Sequence, residues 1–136
     1  MKTTLQNEFS AVAQALKAYY DGLYYGDTAA LAEVFHPDAR YVSASHGELL
    51  QLDMQAYLPR VEARSSPESL GEPYGYTLES IALAGTSAAS VRMRSSMLGK
   101  NFIDFLSMIK VDDTWRIIAK VFDHQDQEPC PAEGGE

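Results

Sequence analysis

The sequence predicts an α+β domain in which three N-terminal helices pack against a mainly antiparallel sheet. Apolar residues recur every three to four positions up to about residue 64, and at every second position after Gly75. The chain has 136 residues, the usual size of a single domain, and 46% of them are hydrophobic while 22% are charged. These values are typical of a globular protein with one core and room for one internal pocket.

The first helix is predicted over about residues 5–25, because Leu5, Phe9 and the apolar residues after them form one stripe at helical spacing. Gly26 suits the position just after a helix end. Asp27 then suits the N-cap of a second, shorter helix. Pro37 ends that helix, since the residue before a proline avoids helical backbone angles.

A short strand is predicted at residues 39–44, and a third helix begins after Asp53 and reaches about Arg64. Pro59 lies inside this helical pattern and removes one backbone hydrogen bond. We therefore expect a kink or a short break at this position. The stretch 65–75 is rich in proline and glycine and is predicted to be a loop.

The second half of the chain is predicted to be strands. Asp112 and Asp113 suit a tight hairpin turn between the last two of them. Residues 1–123 are predicted to form the single domain, and residues 124–136 an acidic, disordered tail. The four predicted strands cover residues 76–83, 87–97, 102–111 and 114–122.

The predicted turn fixes which residues of the last hairpin share a face. Directly opposed residues lie on the same face, so Asp104 faces Val121. The more apolar face meets the helices, and Asp104 then points inward among apolar neighbours. The same register places Lys120 on the other face, at the surface or in an interface, whereas a shift of one residue would place it inside.

The other face of the hairpin is also rich in apolar residues, whereas a sheet face exposed to water is expected to be more polar. A second copy of the chain packed sheet on sheet is the simplest cover, so we expect a homodimer through the outer face. The residues predicted for this face include Ile103, Phe105, Ile109, Ile118 and Phe122.

The charge and the missing motifs exclude several classes of protein. The net charge of -8 disfavours binding to nucleic acid or to an anionic membrane surface. A run of about 18 apolar residues, which a membrane span needs, is absent. The single cysteine, Cys130, cannot form an internal disulfide, which fits a cytoplasmic protein. Neither metal-ligand spacing nor a phosphate-binding loop is present, so no metal and no cofactor are expected.

Several segments together resemble the nuclear-transport-factor-2-like superfamily, and in particular its lumazine-binding branch. The opening of the chain carries two of them, Tyr-Tyr-Asp-Gly-Leu-Tyr-Tyr-Gly-Asp at 19–27 and Phe-His-Pro-Asp-Ala at 35–39. The end carries Asp-Phe-Leu-Ser at 104–107, Trp-Arg-Ile at 115–117 and Lys-Val-Phe at 120–122. The resemblance covers about residues 5–123.

The resemblance implies a cystatin-like α+β cone, in which helices sit inside a strongly curved sheet and leave a pocket at the open end. It also implies that dimers through the outer sheet face are common. The superfamily includes ketosteroid isomerases, polyketide cyclases, dehydratases and binding modules without activity. The fold alone therefore leaves the function open.

Asp104 is the leading catalytic candidate. Apolar surroundings raise the pKa of a carboxyl group, which can then donate a hydrogen bond or shuttle a proton. It is similar in position to a strand aspartate of ketosteroid isomerases, but the second aspartate of those enzymes has no match near residues 40–42. The alternative is a structural role, with the carboxyl bonded to a tyrosine, an arginine or a backbone amide.

His36 is the second catalytic candidate, since histidine transfers protons near neutral pH. The alternative is that it braces the turn between helix and strand. The pocket itself is predicted to be apolar and lined by tyrosines, whose rings stack on planar ligands. The predicted ligand-binding residues are Tyr19, Tyr20, Tyr41, Tyr57, Met93, Asp104 and Val121.

Three functions remain open at this point. The first is a protein that binds a hydrophobic or aromatic small molecule in this pocket. The second is a cofactor-free enzyme of ketosteroid-isomerase, dehydratase or polyketide-cyclase type acting on a hydrophobic carbonyl compound. The third is a dimeric interaction module without a pocket.

Overall fold

Three helices pack against one face of a curved, six-stranded sheet that does not close, in a computed structural model that describes residues 4–127. The predicted α+β class is confirmed. The helices are α1 (Thr4–Tyr25), α2 (Thr28–Val34) and α3 (Met54–Ala63). The strands are β1 (Phe35–Ser43), β2 (Leu50–Leu52), β3 (Tyr76–Ala84), β4 (Ala88–Met97), β5 (Lys100–Val111) and β6 (Thr114–Asp126).

The first helix begins and ends where the sequence predicts, and the second begins after Asp27 as predicted. The second helix ends at Val34, before the predicted end at Pro37, which lies within β1 instead. Gly26 adopts a φ of 67°, the left-handed conformation that closes α1. The Asp27 carboxylate caps α2 by accepting a hydrogen bond from the Ala30 backbone N–H at 3.1 Å. The helices meet closely, since a Cβ on Gly22 would lie 2.7 Å from the Leu31 side chain.

The third helix runs through Pro59 without the predicted break. Asp53 caps it as predicted, accepting from the Ala56 N–H at 2.9 Å. Proline cannot bond the carbonyl four residues earlier, which here belongs to the exposed Gln55. Water can bond that carbonyl, so the helix continues.

The strand order in the sheet is β2-β1-β6-β5-β4-β3. The four predicted strands of the second half are confirmed as β3 to β6. The strand predicted at 39–44 begins earlier, at Phe35, and runs parallel to β6. Strand β2 was not predicted, because three residues are too short to show an alternating pattern.

The register of the last hairpin is as predicted only near the turn. Met108 pairs with Ile117, but a β-bulge follows, and Asp104 then faces Phe122 rather than Val121. A bulge inserts one residue into one strand and so exchanges the faces of all residues beyond it. The predicted place of Val121 inside the sheet is therefore wrong, and Lys120 lies inside instead.

The end of the domain also differs from the predicted boundary at residue 123. Strand β6 continues to Asp126, and Gln127 donates a backbone hydrogen bond to the Gly99 carbonyl. Residues 124–126 thus belong to the sheet, while 128–136 of the predicted tail lie outside the described residues. Within the described range, no helix has the length and apolar content to cross a bilayer.

Glu8 ties the start of α1 to the last hairpin. Its carboxylate accepts hydrogen bonds from Lys110 Nζ at 2.6 Å and from Trp115 Nε1 at 2.8 Å. The bond from Lys110, followed by that from Trp115, lowers the pKa of Glu8 below its ordinary value of 4.5. The folded protein therefore favours the ionised carboxyl.

This linkage predicts how stability changes in acid. A lowered folded pKa stabilises the protein fully above the unfolded pKa, and the stabilisation is lost as the pH falls through the folded value. We expect Glu8→Gln to have a free energy of unfolding that falls less steeply than that of the wild type between about pH 6 and pH 3. Trp115, the single tryptophan, reports unfolding by fluorescence.

Glu48→Gln removes an exposed carboxyl from the loop before β2 and is the matched control, with the acid sensitivity of the wild type. Equal pH dependence in wild type and Glu8→Gln would contradict the role of Glu8.

Candidate functional site

Asp104 and Lys120 face each other in the interior, and Asp104 also bonds to Tyr19. The two side chains belong to β5 and β6, and the residues are 2% and 4% exposed. The Tyr19 hydroxyl donates to Asp104 Oδ2 at 2.8 Å, and Lys120 Nζ lies 4.0 Å from the same oxygen. The other oxygen, Oδ1, is buried and has no hydrogen-bond partner among the described residues.

The sheet brings these side chains together through the β-bulge and the parallel strand β1. The bulge turns Lys120 to the inner face, and the parallel pairing places Tyr41 beside it. On the other side, Met93 of β4 is the cross-strand neighbour of Asp104. Helix α1 covers the group with Tyr19.

Aromatic rings surround the ammonium group of Lys120. Its Nζ lies 5.3 Å from the ring centre of Tyr19, 5.2 Å from that of Tyr41 and 4.9 Å from that of Phe122. Such contacts are electrostatically attractive for a cation. Tyr41 stacks in turn on Tyr57, with ring centres 4.3 Å apart.

A small void, here called the inner cavity, adjoins this group. Its volume of about 20 Å³ is that of one water site rather than of a drug-sized ligand. Both polar and apolar side chains line it. The lining residues are Leu23, Tyr41, Tyr57, Arg64, Ser95, Met97, Leu98, Phe102, Asp104 and Lys120.

The tyrosines around the inner cavity remain protonated near neutral pH. Burial raises the pKa of Tyr57 to about 12, against an opposing effect of Arg64. Burial also raises the pKa of Tyr41, and burial together with the charge of Asp104 raises that of Tyr19. All three phenols are therefore hydrogen-bond donors.

A second, larger hollow lies at the edge of the sheet where β3 and β5 begin and β4 and β6 end. This strand-end groove is open and has a volume of about 810 Å³. It is lined by residues 72–75 of the loop before β3 and by the adjoining ends of the strands. His124 lines it, with Nδ1 buried and without a partner among the described residues, and burial lowers the pKa of its imidazole. Ser95 and Phe102 line both hollows and form the wall between them.

The structure brings some of the predicted site residues together and separates others. Tyr19, Tyr41, Tyr57 and Asp104 surround the inner cavity or bond to its wall. Of the two readings of Asp104, the bond to a tyrosine is observed. Met93 is buried beside Asp104 but does not line the cavity.

Tyr20, His36 and Val121 lie elsewhere. The Tyr20 hydroxyl accepts from the Gly75 N–H at 3.0 Å, and its ring packs in a separate tyrosine cluster. His36 Nδ1 accepts from the Asp38 N–H at 3.0 Å, so its ring braces the start of β1. Val121 is 47% exposed on the outer face, because the bulge reverses its direction.

Sequence reasoning missed Arg64 and Phe102 and expected Lys120 at the surface or in an interface. The alternative register of the hairpin is the one signal that could have placed Lys120 inside. Within residues 4–127, no three His, Cys, Asp or Glu side chains form a group that could hold a metal ion.

Comparisons with known proteins agree with this fold. The family model described as "Putative lumazine-binding" matches residues 7–123. The aldolase FrzH of Cladobotryum sp is 26% identical over 122 residues, which cover 89% of this chain and 94% of the relative.

Solved structures give the same result. An NTF-2 like protein of unknown function from Silicibacter pomeroyi is 25% identical, with a TM-score of 0.76 over 91% of this chain and 100% of its own. An NTF2-like protein of unknown function from Shewanella baltica is 22% identical, with a TM-score of 0.81 over 93% and 100% of the two chains. A cystatin-like fold protein from Burkholderia xenovorans is 17% identical, with a TM-score of 0.65 over 90% and 95%.

The buried pair predicts strongly non-additive effects on stability. Lys120→Met leaves the Asp104 carboxylate without its cation and is expected to cost about 3–5 kcal/mol of unfolding free energy. The double variant with Asp104→Asn should regain most of that loss, because the amide oxygen still accepts from Tyr19. Urea unfolding of the single and double variants measures the coupling.

Lys100→Met is the matched control. Its amine lies 3.5 Å from Asp126 in an exposed pair, which contributes less than about 1 kcal/mol. Additive losses at positions 104 and 120 would argue against an energetic pair.

Proposed function

The chain belongs to the "Putative lumazine-binding" family of the nuclear-transport-factor-2-like superfamily, and we propose that it binds a hydrophobic or aromatic small molecule at the inner cavity. The ligand carries a polar group that forms a hydrogen bond with Asp104. The family description and the fold support ligand binding in general, and the geometry of the cavity supports the choice of site.

The single observation that carries the proposal is that Oδ1 of Asp104 is buried and has no hydrogen-bond partner within residues 4–127. A buried acceptor without a partner costs about 1–3 kcal/mol, and more when the group is charged. The oxygen belongs to a residue that lines the inner cavity. A ligand that donates an N–H or O–H to Oδ1 removes this cost, which favours the bound state.

The lining of the cavity indicates the chemistry of the ligand. Leu23, Met97 and Phe102 offer an apolar surface to its body. Arg64 and Tyr57 offer donors to a carbonyl or another acceptor, while Asp104 accepts. A planar molecule with adjacent donor and acceptor groups satisfies all of these partners.

The size of the inner cavity requires that it open for the ligand. Ligand sites commonly measure about 300–1,000 Å³, far above the cavity and within the range of the strand-end groove. Phe102 separates the two hollows and is only half-buried. We propose that rotation of its ring joins them, so that the ligand enters through the groove.

A second candidate function is a cofactor-free enzyme acting on a hydrophobic carbonyl compound. The likeness to an aldolase across most of both chains favours it, as does the placing of an amine and a carboxyl beside the same cavity. Both candidates use the same site and differ in whether the ligand is transformed.

The binding proposal predicts a ligand that depends on Asp104. In saturation-transfer NMR with a panel of planar heterocycles, lumazine among them, and of apolar ketones, we expect at least one compound to bind the wild type. Asp104→Asn converts one acceptor oxygen into an amide donor and should weaken binding by about tenfold or more. Phe102→Ala should increase the association rate of the ligand, because it removes the ring that lies between the two hollows.

Phe9→Ala removes a partly exposed aromatic ring of α1 that lines neither hollow and is the control, with binding unchanged. Binding that is insensitive to Asp104→Asn would place the ligand elsewhere and reject the site.

We further propose that the outer face pairs with a second copy of the chain. Phe105 and Val121 are cross-strand neighbours there and are 50% and 47% exposed, with half-buried Ile103 and Ile109 along the same strand. Apolar side chains exposed on one face of a sheet favour burial, and two-fold pairing is the commonest symmetry.

The pairing predicts a dimer in solution. Phe105→Glu places a charge at the centre of the patch and should convert the dimer measured by light scattering into a monomer of unchanged circular dichroism. Leu49→Glu, at a side chain 70% exposed before β2, should leave the dimer intact. A wild-type chain that is monomeric throughout would refute the pairing.

A further inference from the structure

We propose that Lys120 is a catalytic amine, whose Nζ forms an imine with the carbonyl carbon of an apolar aldehyde or ketone in the inner cavity. The inference rests on the proposed function, because it needs a ligand in that cavity. It goes further by assigning a covalent step, a residue and a substrate class.

The surroundings of Lys120 differ from those of the other lysines that the structure describes. Lys17, Lys100 and Lys110 have side chains 64%, 38% and 24% exposed, and each lies within 3.5 Å of a carboxylate oxygen. The Lys120 side chain is 5% exposed, and its amine stands 4.0 Å from Asp104 Oδ2, beyond hydrogen-bond distance. The amine is thus enclosed, beside the cavity, and not held by a short bond to that carboxylate.

Asp104 supplies the proton transfers that imine formation needs. Its carboxylate takes a proton from the Lys120 ammonium, and the neutral amine attacks the carbonyl carbon. The C–N bond forms as the C–O π bond breaks, and a proton passes from the nitrogen to the oxygen to give a carbinolamine. The protonated Asp104 returns the proton to the carbinolamine hydroxyl. The hydroxyl leaves as water, the C–N bond becomes an iminium, and the carboxylate is restored.

Other residues of the cavity suit the remaining parts of this step. Arg64 and the protonated hydroxyl of Tyr57 are donors that can hold the carbonyl oxygen as negative charge develops on it. Tyr19 donates to Asp104 and keeps the carboxyl in place, which makes it a positioning residue. An iminium at Lys120 retains a positive charge, so the contacts with the rings of Tyr19 and Tyr41 persist.

Reductive trapping tests the proposal on the full chain. The protein is incubated with acetone and sodium cyanoborohydride, and the products are mapped by mass spectrometry. An imine that is reduced adds the mass of acetone less one oxygen atom to the lysine that formed it. We expect Lys120 to be labelled about tenfold faster than Lys100, although Lys100 is far more exposed.

This selectivity is measured within the wild-type chain and needs no variant to fold. Lys120→Arg should abolish the fast label, and Asp104→Asn should slow it by about tenfold. Labelling of Lys120 no faster than of Lys100 would overturn the proposal. If the planar binders found by NMR still bind while Lys120 stays unlabelled, the covalent step alone is rejected; if both fail, the binding site is rejected with it.

Discussion

The burial of the Lys120 ammonium beside the Asp104 carboxylate on the inner face of the sheet constrains the rest of this structure. Neither charge can be buried alone, because an isolated buried ion costs several kcal/mol. The sheet must therefore place Lys120 and Asp104 on the same face, although they belong to different strands. The β-bulge in β6 achieves this, and the helix above contributes Tyr19 as a further partner. The inward direction of Lys120 and the exposure of Val121 both follow from that one inserted residue.

The sequence predicts the elements of the fold well, because their signals are local. Asp27 and Asp53 are capping residues, Gly26 adopts the backbone conformation that favours glycine, and the alternating strands carry their own period. The bulge has no comparable signal, since Ile117, Ile118 and Ala119 are all apolar and any of them suits either face. A pattern of alternation cannot indicate where it is interrupted.

The sequence predicts only those parts of the candidate site that depend on local alternation. Asp104 lies on β5, which carries no inserted residue, so its inward direction depends only on alternation. Lys120 lies beyond the bulge on β6, and its direction depends on a feature of the backbone. Arg64 and Phe102 reach the cavity from the end of a helix and from a strand end, and only tertiary packing brings them to it.

The parallel pairing of β1 with β6 has a consequence for how the chain is made. Among the described strands, β1 pairs with the short β2 on one side and with β6 on the other, while the pairs among β3 to β6 join strands that follow each other directly. During synthesis on a ribosome, the successive hairpins can form as they emerge, but β1 must wait for its parallel partner until β6 has appeared. Closure of the interior is therefore among the last events in the folding of this domain, and it follows the emergence of Lys120.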